Sequence, residues 1–198
     1  MAELTGSRSS TTGDITITGD RYKTFDISWE ITAVSGGYNY SYTFDFTRFT
    51  GRGTQPAPNI SHFILDLSDN CTAESGCVTD SNFGLEYNTY SAGGAGNSNP
   101  AFPAGASITG VKFTETNLPT AGTISFLSNR LPVYGDFYLK GGSDNGVFNA
   151  GLSNHNSSAI SDFIARPDTA TATPEPSTWA MLASGLALVT TRFRRRKA

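Results

Sequence analysis

The sequence is poor in charge, cysteine and histidine, and each shortage excludes a class of protein. Only 16% of its 198 residues are charged while 12% are aromatic, which is the reverse of the composition of disordered chains. Two cysteines are too few for a disulfide-rich miniprotein or for a zinc site made of four cysteines. The net charge of −3 gives no electrostatic reason to expect a nucleic-acid partner. We therefore expect a folded domain that does not bind nucleic acid.

Motifs of the common catalytic sites are missing as well. The chain has no Gly-x-Ser-x-Gly, no phosphate-binding Gly-Lys-Ser/Thr and no dinucleotide-binding glycine pattern. The two histidines are interpreted as a structural residue that begins a strand, His62, and an exposed loop residue, His155. A hydrolase would need paired carboxylates in a cleft, and the candidates are Asp26, Glu30, Asp45, Asp66 and Asp136. We expect no enzyme and no cofactor, and an exported hydrolase is the least favoured alternative.

The polar and apolar residues of the body alternate with a period of two, which predicts strands. Residues 25–34 and 38–47 form two such runs, with a glycine turn at 36–37 between them. The hairpin buries one face of each run, made of Phe25, Ile27, Trp29, Ile31, Ala33, Tyr38, Tyr40, Tyr42, Phe44 and Phe46. Shorter strands are predicted at 14–18, 62–67, 83–90, 107–113, 123–127 and 136–139. The sequence predicts an all-β fold, an antiparallel two-sheet sandwich of jelly-roll-like or Ig-like order, with a closed barrel as the alternative.

The last 25 residues differ from the body in composition and charge. Residues 167–176, PDTATATPEP, predict an extended linker, because proline disfavours helix at its own position and at the one before it. Residues 177–191 contain no charged side chain, and RFRRRK follows them. Residues 1–173 have nine basic and sixteen acidic residues, whereas residues 174–198 have five basic residues and one acidic residue. We therefore interpret the C-terminus as a functionally separate segment attached to an acidic body.

This segment predicts one hydrophobic helix at the membrane. Fifteen helical residues span about 22 Å, which is short for a bilayer core of about 30 Å unless arginine side chains snorkel or the bilayer thins. The membrane-facing residues would be Trp179, Met181, Leu182, Leu186, Leu188 and Val189. A cytoplasmic stop would be formed by Arg192, Arg194, Arg195, Arg196 and Lys197, which leaves the body on the outer side. The alternative is a soluble helix packed on the body through Leu182, Leu186 and Val189.

The C-terminus resembles a known sorting signal. Pro174, Glu175 and Pro176, then Ser177-Thr178-Trp179-Ala180-Met181-Leu182, an apolar stretch and an arginine cluster are similar to the PEP-CTERM signal of exported bacterial proteins. The resemblance implies that an exosortase, a membrane-embedded cysteine transpeptidase-like enzyme, cleaves near Pro-Glu-Pro. It also implies a bacterium that makes extracellular polysaccharide and forms biofilm or floc.

The body resembles a group of uncharacterised ectodomains that carry the same signal. The similar pieces are SHFILDL at 61–67, NSNP at 97–100, ITGVKF at 108–113 and SNRLPVYGDFY at 128–138. The resemblance spans about residues 25–152. It implies an exported β domain and assigns it no activity.

A secretory signal is missing from the N-terminus of the sequence. The chain begins MAELTGSRSSTTGDITITGD, which has neither a basic start nor an apolar stretch of 7–15 residues. We expect either that the true start lies upstream or that the signal has been removed. The third explanation, that this copy is not exported, would leave the C-terminal segment without a purpose.

Two loop features suggest a disulfide and a weaker calcium candidate. Cys71 and Cys77 are six positions apart, and in an exported chain such a pair predicts one local disulfide; a reduced pair is the alternative. Oxygen ligands of the kind that calcium prefers cluster at Asp66, Asp69, Asn70 and Glu74, and again at Asp144 and Asn145. Turn chemistry explains both clusters equally well, and neither has EF-hand spacing.

The segment from 130 to 138 is the candidate ligand surface of the body. Arg130, Tyr134, Asp136 and Tyr138 could line a sugar-binding surface on which aromatic rings stack against pyranose faces. The favoured alternative is a strand whose tyrosines and phenylalanine fill the core while Arg130 and Asp136 pair at its edge.

Together these features divide the chain into four parts. They are a disordered N-terminus at 1–13, a β ectodomain at 14–165, a linker at 166–176 and a membrane helix with a basic tail at 177–198. We expect a structural protein of the cell envelope or extracellular matrix. Its expected partners are an exosortase, the membrane for the time before cleavage, and extracellular polysaccharide. The alternative is a carbohydrate-binding module.

Overall fold

The computed structural model describes residues 3–48, 59–92, 99–118, 121–142, 145–154 and 156–168. Within these ranges the chain is built almost entirely of antiparallel strands. The strands are β1 (Glu3–Ser9), β2 (Ile15–Ile17), β3 (Tyr22–Val34), β4 (Gly37–Arg48), β5 (Ile60–Asp66), β6 (Gly84–Ser91), β7 (Ser107–Leu118), β8 (Ala121–Ser128), β9 (Pro132–Gly135), β10 (Phe137–Gly141), β11 (Asn145–Asn149) and β12 (Ile164–Pro167). One turn of helix, α1 (Ala150–Ser153), and a 3-10 turn (Ile160–Asp162) separate β11 from β12.

Strands β3 and β4 form the predicted long hairpin in the centre of a four-stranded sheet of order β1-β3-β4-β8. The alternation is as the sequence predicts, because every second residue from Phe25 to Ile31 and from Tyr40 to Phe46 is buried. The turn lies one residue earlier than predicted. Val34 pairs with Gly37, so Ser35 and Gly36 form a two-residue loop, and Gly36 has the positive φ of 87° that such loops require.

A six-stranded sheet of order β2-β11-β10-β5-β7-β6 lies against the hairpin. Its central strand β5 has Phe63 on the inner face, where the ring lies 5.6 Å from Tyr42 and 5.2 Å from Phe44. Phe113 of β7 and Phe126 of β8 meet across the same layer, with ring centroids 5.2 Å apart. The two sheets therefore share one aromatic core, and the predicted all-β antiparallel class is confirmed.

The outer face of the six-stranded sheet is covered too. Ile64, which points away from Phe63, belongs to a second cluster with Tyr138 and Leu152 of α1. The described part of the glycine-rich loop covers this cluster: the Phe102 ring lies 4.8 Å from Tyr138, whose hydroxyl donates to the Pro100 carbonyl at 2.8 Å. This explains why β5 is a nearly continuous apolar run, since both of its faces are buried.

The prediction that residues 1–13 are disordered is wrong for residues 3–9, which form β1 against β3. Backbone hydrogen bonds hold this strand in the sheet. Its sequence, ELTGSRS, has no alternation of apolar and polar residues from which a strand could be predicted. Gly6 is required by its partner, because a Cβ atom there would come within 2.3 Å of the Trp29 ring. Arg8 then lies over the same ring, 5.1 Å from its centroid, and donates to the Ile160 carbonyl.

Three further strands, β9, β11 and β12, were not predicted from the sequence. Strands β11 and β12 are buried at every position, so polar and apolar residues do not alternate along them, and β9 has only four residues, two of which are the turn residues Pro132 and Gly135. Strand β12 ends at Pro167, so ordered structure continues past the predicted boundary at residue 165. Among the described residues, no helix is long and apolar enough to cross a membrane. The helix predicted at 177–198 lies outside them and stays a prediction.

We expect Phe63→Ala to be the most damaging single truncation in the core. The Phe63 ring is fully buried and contacts Tyr42, Phe44, Phe113 and Phe137, so its removal should lower the free energy of unfolding by about 3–5 kcal/mol. Urea denaturation of the oxidised protein measures this loss. Val34→Ala, at a side chain that is 41% exposed, is the control and should change stability by no more than about 0.5 kcal/mol. An equal loss in both variants would contradict the assignment of the core.

Candidate functional site: the junction between the β body and the C-terminal segment

The last described residues are held in a two-stranded sheet on the body. Strand β12 pairs antiparallel with β9, from Ile164 opposite Gly135 to Pro167 opposite Pro132. The next residue, Asp168, donates its backbone N–H to the Leu131 carbonyl at 2.7 Å. The chain is thus fixed to the body through Asp168, the third residue of the predicted linker at 166–176.

Arg130 holds the same residue from the other side. Its side chain is 1% exposed, and its guanidinium donates to the Asp168 carbonyl at 3.1 Å, to Ser68 Oγ at 2.9 Å and to Asn70 Oδ1 at 2.8 Å. A planar guanidinium can serve three acceptors at once, which an ammonium group on a flexible stem does less well. Arg130 therefore joins the exit of the chain to the loop that follows β5.

That loop is closed by a disulfide between Cys71 and Cys77, as the sequence predicts. Both cysteines are buried. The Cys71 N–H donates to the Ser68 carbonyl at 2.9 Å, and Asn129, next to Arg130, donates its side-chain amide to the Ser75 carbonyl at 3.3 Å. The disulfide loop is therefore bonded on both sides to the segment that contains Arg130.

Two tyrosines of β4 connect the junction to the core. The Tyr40 hydroxyl donates to the Arg130 carbonyl at 2.9 Å, and the Tyr42 hydroxyl donates to the Ala165 carbonyl at 2.8 Å. Burial raises the pKa of both phenols well above the usual value, so both stay protonated and remain donors. Each buried hydroxyl thus satisfies a backbone carbonyl of the junction.

Arg166, in the middle of β12, forms the charged pair of the junction with Asp66, at 3.0 Å. It also donates to the Pro167 carbonyl at 2.8 Å. Its stem occupies the place of a side chain at Gly135, where a Cβ atom would lie 1.9 Å from Arg166 Nε. Burial raises the pKa of the Asp66 carboxyl to about 6, although the nearby Arg166 guanidinium lowers it. Desolvation is thus the larger of the two effects at Asp66.

Comparison with known families assigns the segment beyond this junction. The family model of the PEP-CTERM protein-sorting motif matches residues 172–197. The chain carries a PEP-CTERM sorting motif. The match contains Pro174, Glu175 and Pro176, the apolar stretch and the basic end, and it begins four residues after Asp168. Neither curated proteins nor solved structures gave a significant match.

The structure separates the four residues of the predicted ligand surface. Tyr138 is fully buried in the second cluster, and Arg130 is buried at the junction. Tyr134 is 38% exposed and lies edge-on to Trp29, with ring centroids 6.4 Å apart. Asp136 accepts a hydrogen bond from the Asn149 side chain at 2.6 Å. The four residues do not form one surface, because Tyr134 lies on β9 of the two-stranded sheet whereas Tyr138 lies on β10 of the six-stranded sheet. The favoured alternative, a strand that fills the core, is confirmed for Phe137 and Tyr138.

The calcium candidates are also divided among other roles. Asp66 pairs with Arg166, Asn70 accepts from Arg130, and Asp69 and Glu74 are exposed. Asn145 accepts from the Arg21 N–H at 3.1 Å, whereas Asp144 lies outside the described residues. In the part of the chain that the structure describes, no three His, Cys, Asp or Glu side chains are placed to hold a metal ion.

The candidate catalytic carboxylates do not share a cleft. Asp26, Glu30 and Asp45 are exposed on the outer face of the four-stranded sheet, whereas Asp66 and Asp136 lie near the junction. Asp26 and Asp45 are directly opposite each other on β3 and β4. This outer face also contains a shallow depression of about 400 Å³, lined mainly by Thr5, Ser7, Ser28, Glu30, Ser41 and Thr43.

His62 lies on the outer face of the six-stranded sheet, 8% exposed, with its Nε2 atom 3.1 Å from Asn99 Oδ1. Burial, followed by the Lys112 and Lys140 charges, lowers the pKa of its imidazole to about 4, although Asn99 and Glu86 act in the opposite direction. Lys112 itself is 4% exposed and pairs with Glu86. His155, the other histidine, lies outside the described residues.

Three residues of the junction were not singled out in the sequence: Ser68, Arg166 and Asp168. The apolar triplet Phe163-Ile164-Ala165 before Arg166 could have indicated a short strand that continues the body. The role of Ser68 had no sequence signal, because its partner Arg130 is 62 positions away.

The lowered pKa of His62 predicts a specific loss of stability in acid. The unfolded chain takes up a proton at His62 near pH 6.5 but the folded protein does so near pH 4, so this contribution is complete above pH 6.5 and is lost as the pH falls. Between pH 7 and pH 5 the loss at His62 should be about 2 kcal/mol. His62→Gln should remove that amount from the difference in unfolding free energy between the two pH values, measured in urea. Val34→Ala, at an exposed side chain that does not titrate, is the control, and an unchanged difference in the His62 variant would refute the assignment.

Proposed function

We propose that this protein is a structural component of the cell surface or extracellular matrix, associated with extracellular polysaccharide after an exosortase has removed its C-terminus. The sorting motif supports an exported protein that transits the membrane and is processed by an exosortase. The structural role, the polysaccharide and the absence of catalysis are our proposal. We assign the body to the two-sheet sandwich class, since its four-stranded and six-stranded sheets share one core.

The observation that carries this proposal is the position of the motif directly after the fixed end of the body. Asp168 is bonded to Leu131 and Arg130, and Pro174 follows six residues later. Six extended residues reach about 20 Å. If residues 177–191 lie in the membrane with the arginines on the cytoplasmic side, the body must stand close to the outer surface until the chain is cut.

The disulfide supports export independently of the motif. Stable disulfides form in oxidising compartments and are rare in the cytosol. Cys71 and Cys77 are paired and buried at the junction, where Arg130 depends on the position of their loop. The arrangement suits a protein that completes its folding after it has crossed the membrane.

A specific surface favours contact with polysaccharide and keeps a carbohydrate-binding module as the second candidate. The outer face of the four-stranded sheet is antiparallel and rich in short hydroxylated side chains, and it contains the shallow depression. Thr43 and Thr123 are hydrogen-bonded across β4 and β8 at 3.1 Å. Polar residues of this face include Thr5, Ser7, Asp26, Ser28, Glu30, Ser41, Thr43, Asp45, Thr123 and Ser125. Rows of donors and acceptors of this kind can bond the hydroxyls of an extended sugar polymer.

Processing is tested by the intact mass and terminal peptides of the protein recovered from its native host. We expect a mature chain outside the cytoplasm that ends near Pro176, and a variant with Pro174, Glu175 and Pro176 all changed to Ala should keep residues 177–198. Replacing Thr169 and Thr171 by Ala is the matched control, because both residues precede the matched motif at 172–197, and it should be processed normally. An uncut wild-type chain found inside the cell would refute the proposal.

The polysaccharide face is tested by co-sedimentation of the oxidised protein with insoluble polysaccharide purified from the host matrix. Thr43→Lys places a long charged side chain in the middle of the face and should weaken binding at least about fivefold, the equivalent of roughly one lost hydrogen bond. Thr89→Lys is the control, because Thr89 is equally exposed but pairs with Thr109 on the six-stranded sheet. Equal binding of both variants would argue against this face, and no binding of the wild type would remove the polysaccharide partner.

A further inference from the structure

We propose that Arg130 is a positioning residue for the processing reaction, because it fixes the residue at which the linker leaves the body. The Cys71–Cys77 disulfide holds the acceptors that orient Arg130, so the exit is secured only in the oxidised protein. This inference rests on the proposed function, since it concerns the substrate that the exosortase meets. Arg130 affects cleavage only by fixing the backbone that leads to the cleavage site, and it does not take part in the chemistry of cleavage.

Two hydrogen bonds of its backbone hold Asp168 on the body. Its N–H donates to the Leu131 carbonyl at 2.7 Å, and its carbonyl accepts from Arg130 Nη1 at 3.1 Å. Both polar groups of this one backbone unit are therefore bonded to the segment at 130–131. A strand as short as β12 would fray at its end if these two bonds were absent, because its own pairing ends at Pro167 opposite Pro132.

Arg130 has a fixed orientation because it is buried and bonded to two acceptors of the loop after β5. Its side chain is 1% exposed, and Ser68 and Asn70 accept from it at 2.9 and 2.8 Å. Ser68 also donates to Asn70, so the two acceptors are bonded to each other. Asn70 directly precedes Cys71, and closing the loop at Cys77 limits where both acceptors can lie. A reduced loop has more conformations, so it holds these acceptors less firmly.

The position at which the chain leaves the body determines how many residues separate the body from the sorting motif. With Asp168 fixed, only residues 169–173 separate the body from Pro174. If β12 detached, Ile164–Asp168 would join this segment and lengthen its extended reach by about 17 Å. The hydrogen bonds that join Asp168 to Leu131 and Arg130, here called the clamp, thus keep β12 closed and out of reach of proteases. Chain that a protease can reach is then confined to the residues around the sorting motif.

The test uses an endoprotease that cuts before Asp, applied to the full oxidised chain in detergent micelles. It cleaves the Pro167–Asp168 bond only when β12 has opened, whereas cleavage of the Phe44–Asp45 bond, inside β4 between β3 and β8, reports global unfolding. We expect Arg130→Gln to speed cleavage at Asp168 at least about tenfold while Phe44–Asp45 stays intact. Arg48→Gln is the matched control. Like Arg130, Arg48 donates to an Asn side chain, and it also lies over an aromatic ring. It pairs with Tyr22 at the open end of the hairpin, whereas Asp168 is bonded to Leu131 and Arg130. Equal rates at Asp168 in the wild type and in Arg130→Gln overturn the proposal.

Two milder changes decide the matter if Arg130→Gln does not fold. Asn70→Ala removes one exposed acceptor and should speed cleavage at Asp168 about threefold to tenfold. Dithiothreitol reduces the wild-type disulfide to two thiols and is itself oxidised to a cyclic disulfide, and this too should speed cleavage at Asp168 selectively. Unchanged rates in both experiments overturn the proposal.

The same variants in a host that contains the exosortase separate this proposal from the proposed function. Wild-type chains should end at one position near Pro176, whereas Arg130→Gln chains should show additional ends within 164–168 by intact mass. A single end in both, with processing intact, overturns the role of Arg130 in processing. Wild-type chains that are not processed at all refute the proposed function, and the clamp is then judged by the protease experiment on the purified protein.

Discussion

The register between β3 and β4 is the constraint on which the rest of the molecule depends. It decides that Phe25, Ile27 and Trp29 face the core, and it places Tyr40 and Tyr42 where their hydroxyls reach the Arg130 and Ala165 carbonyls. A slip by one residue would turn all of these side chains to the polar face. The same pairing that builds the aromatic core therefore also builds the support under the C-terminal junction.

The charged groups inside the body affect its pH dependence in opposite directions. Burial raises the pKa of Asp66 to about 6, so its contribution to stability is present at low pH and is lost as the pH rises through 6. His62 behaves in the opposite way, because its pKa is lowered to about 4 and its contribution is lost as the pH falls below 6.5. Over pH 4–6 the two changes offset each other. Asp66, which pairs with Arg166, and His62, which lies near Lys112, thus have effects on the pH dependence of stability that largely cancel.

Sequence patterns predict the parts of this fold in which side chains carry the information. The hairpin and strands β5 to β8 were found because their apolar residues alternate or run continuously beside turn residues. Strand β1 was missed because backbone pairing to β3 holds it, and Gly6 is needed there for a contact with Trp29 that is 23 positions away. At 130–138 the favoured prediction of a core strand holds for Phe137 and Tyr138, which are fully buried. The structure does not bring together the residues of the ligand-surface alternative, because Arg130 and Tyr138 each donate to a backbone carbonyl of the body.

The sequence divides the chain into an acidic body and a basic, apolar C-terminus, but the structure connects the two parts at one residue. Asp168 is the last residue that the structure describes, and it is bonded through Arg130 to a loop next to the Cys71–Cys77 disulfide. Residues 172–197 carry a signal that is recognised by sequence and position at the C-terminus. On the proposed function, opening of β12 would add residues 164–168 to the chain that separates the body from Pro174. The hydrogen bonds at Asp168 therefore set how much chain lies between the last described strand and the motif.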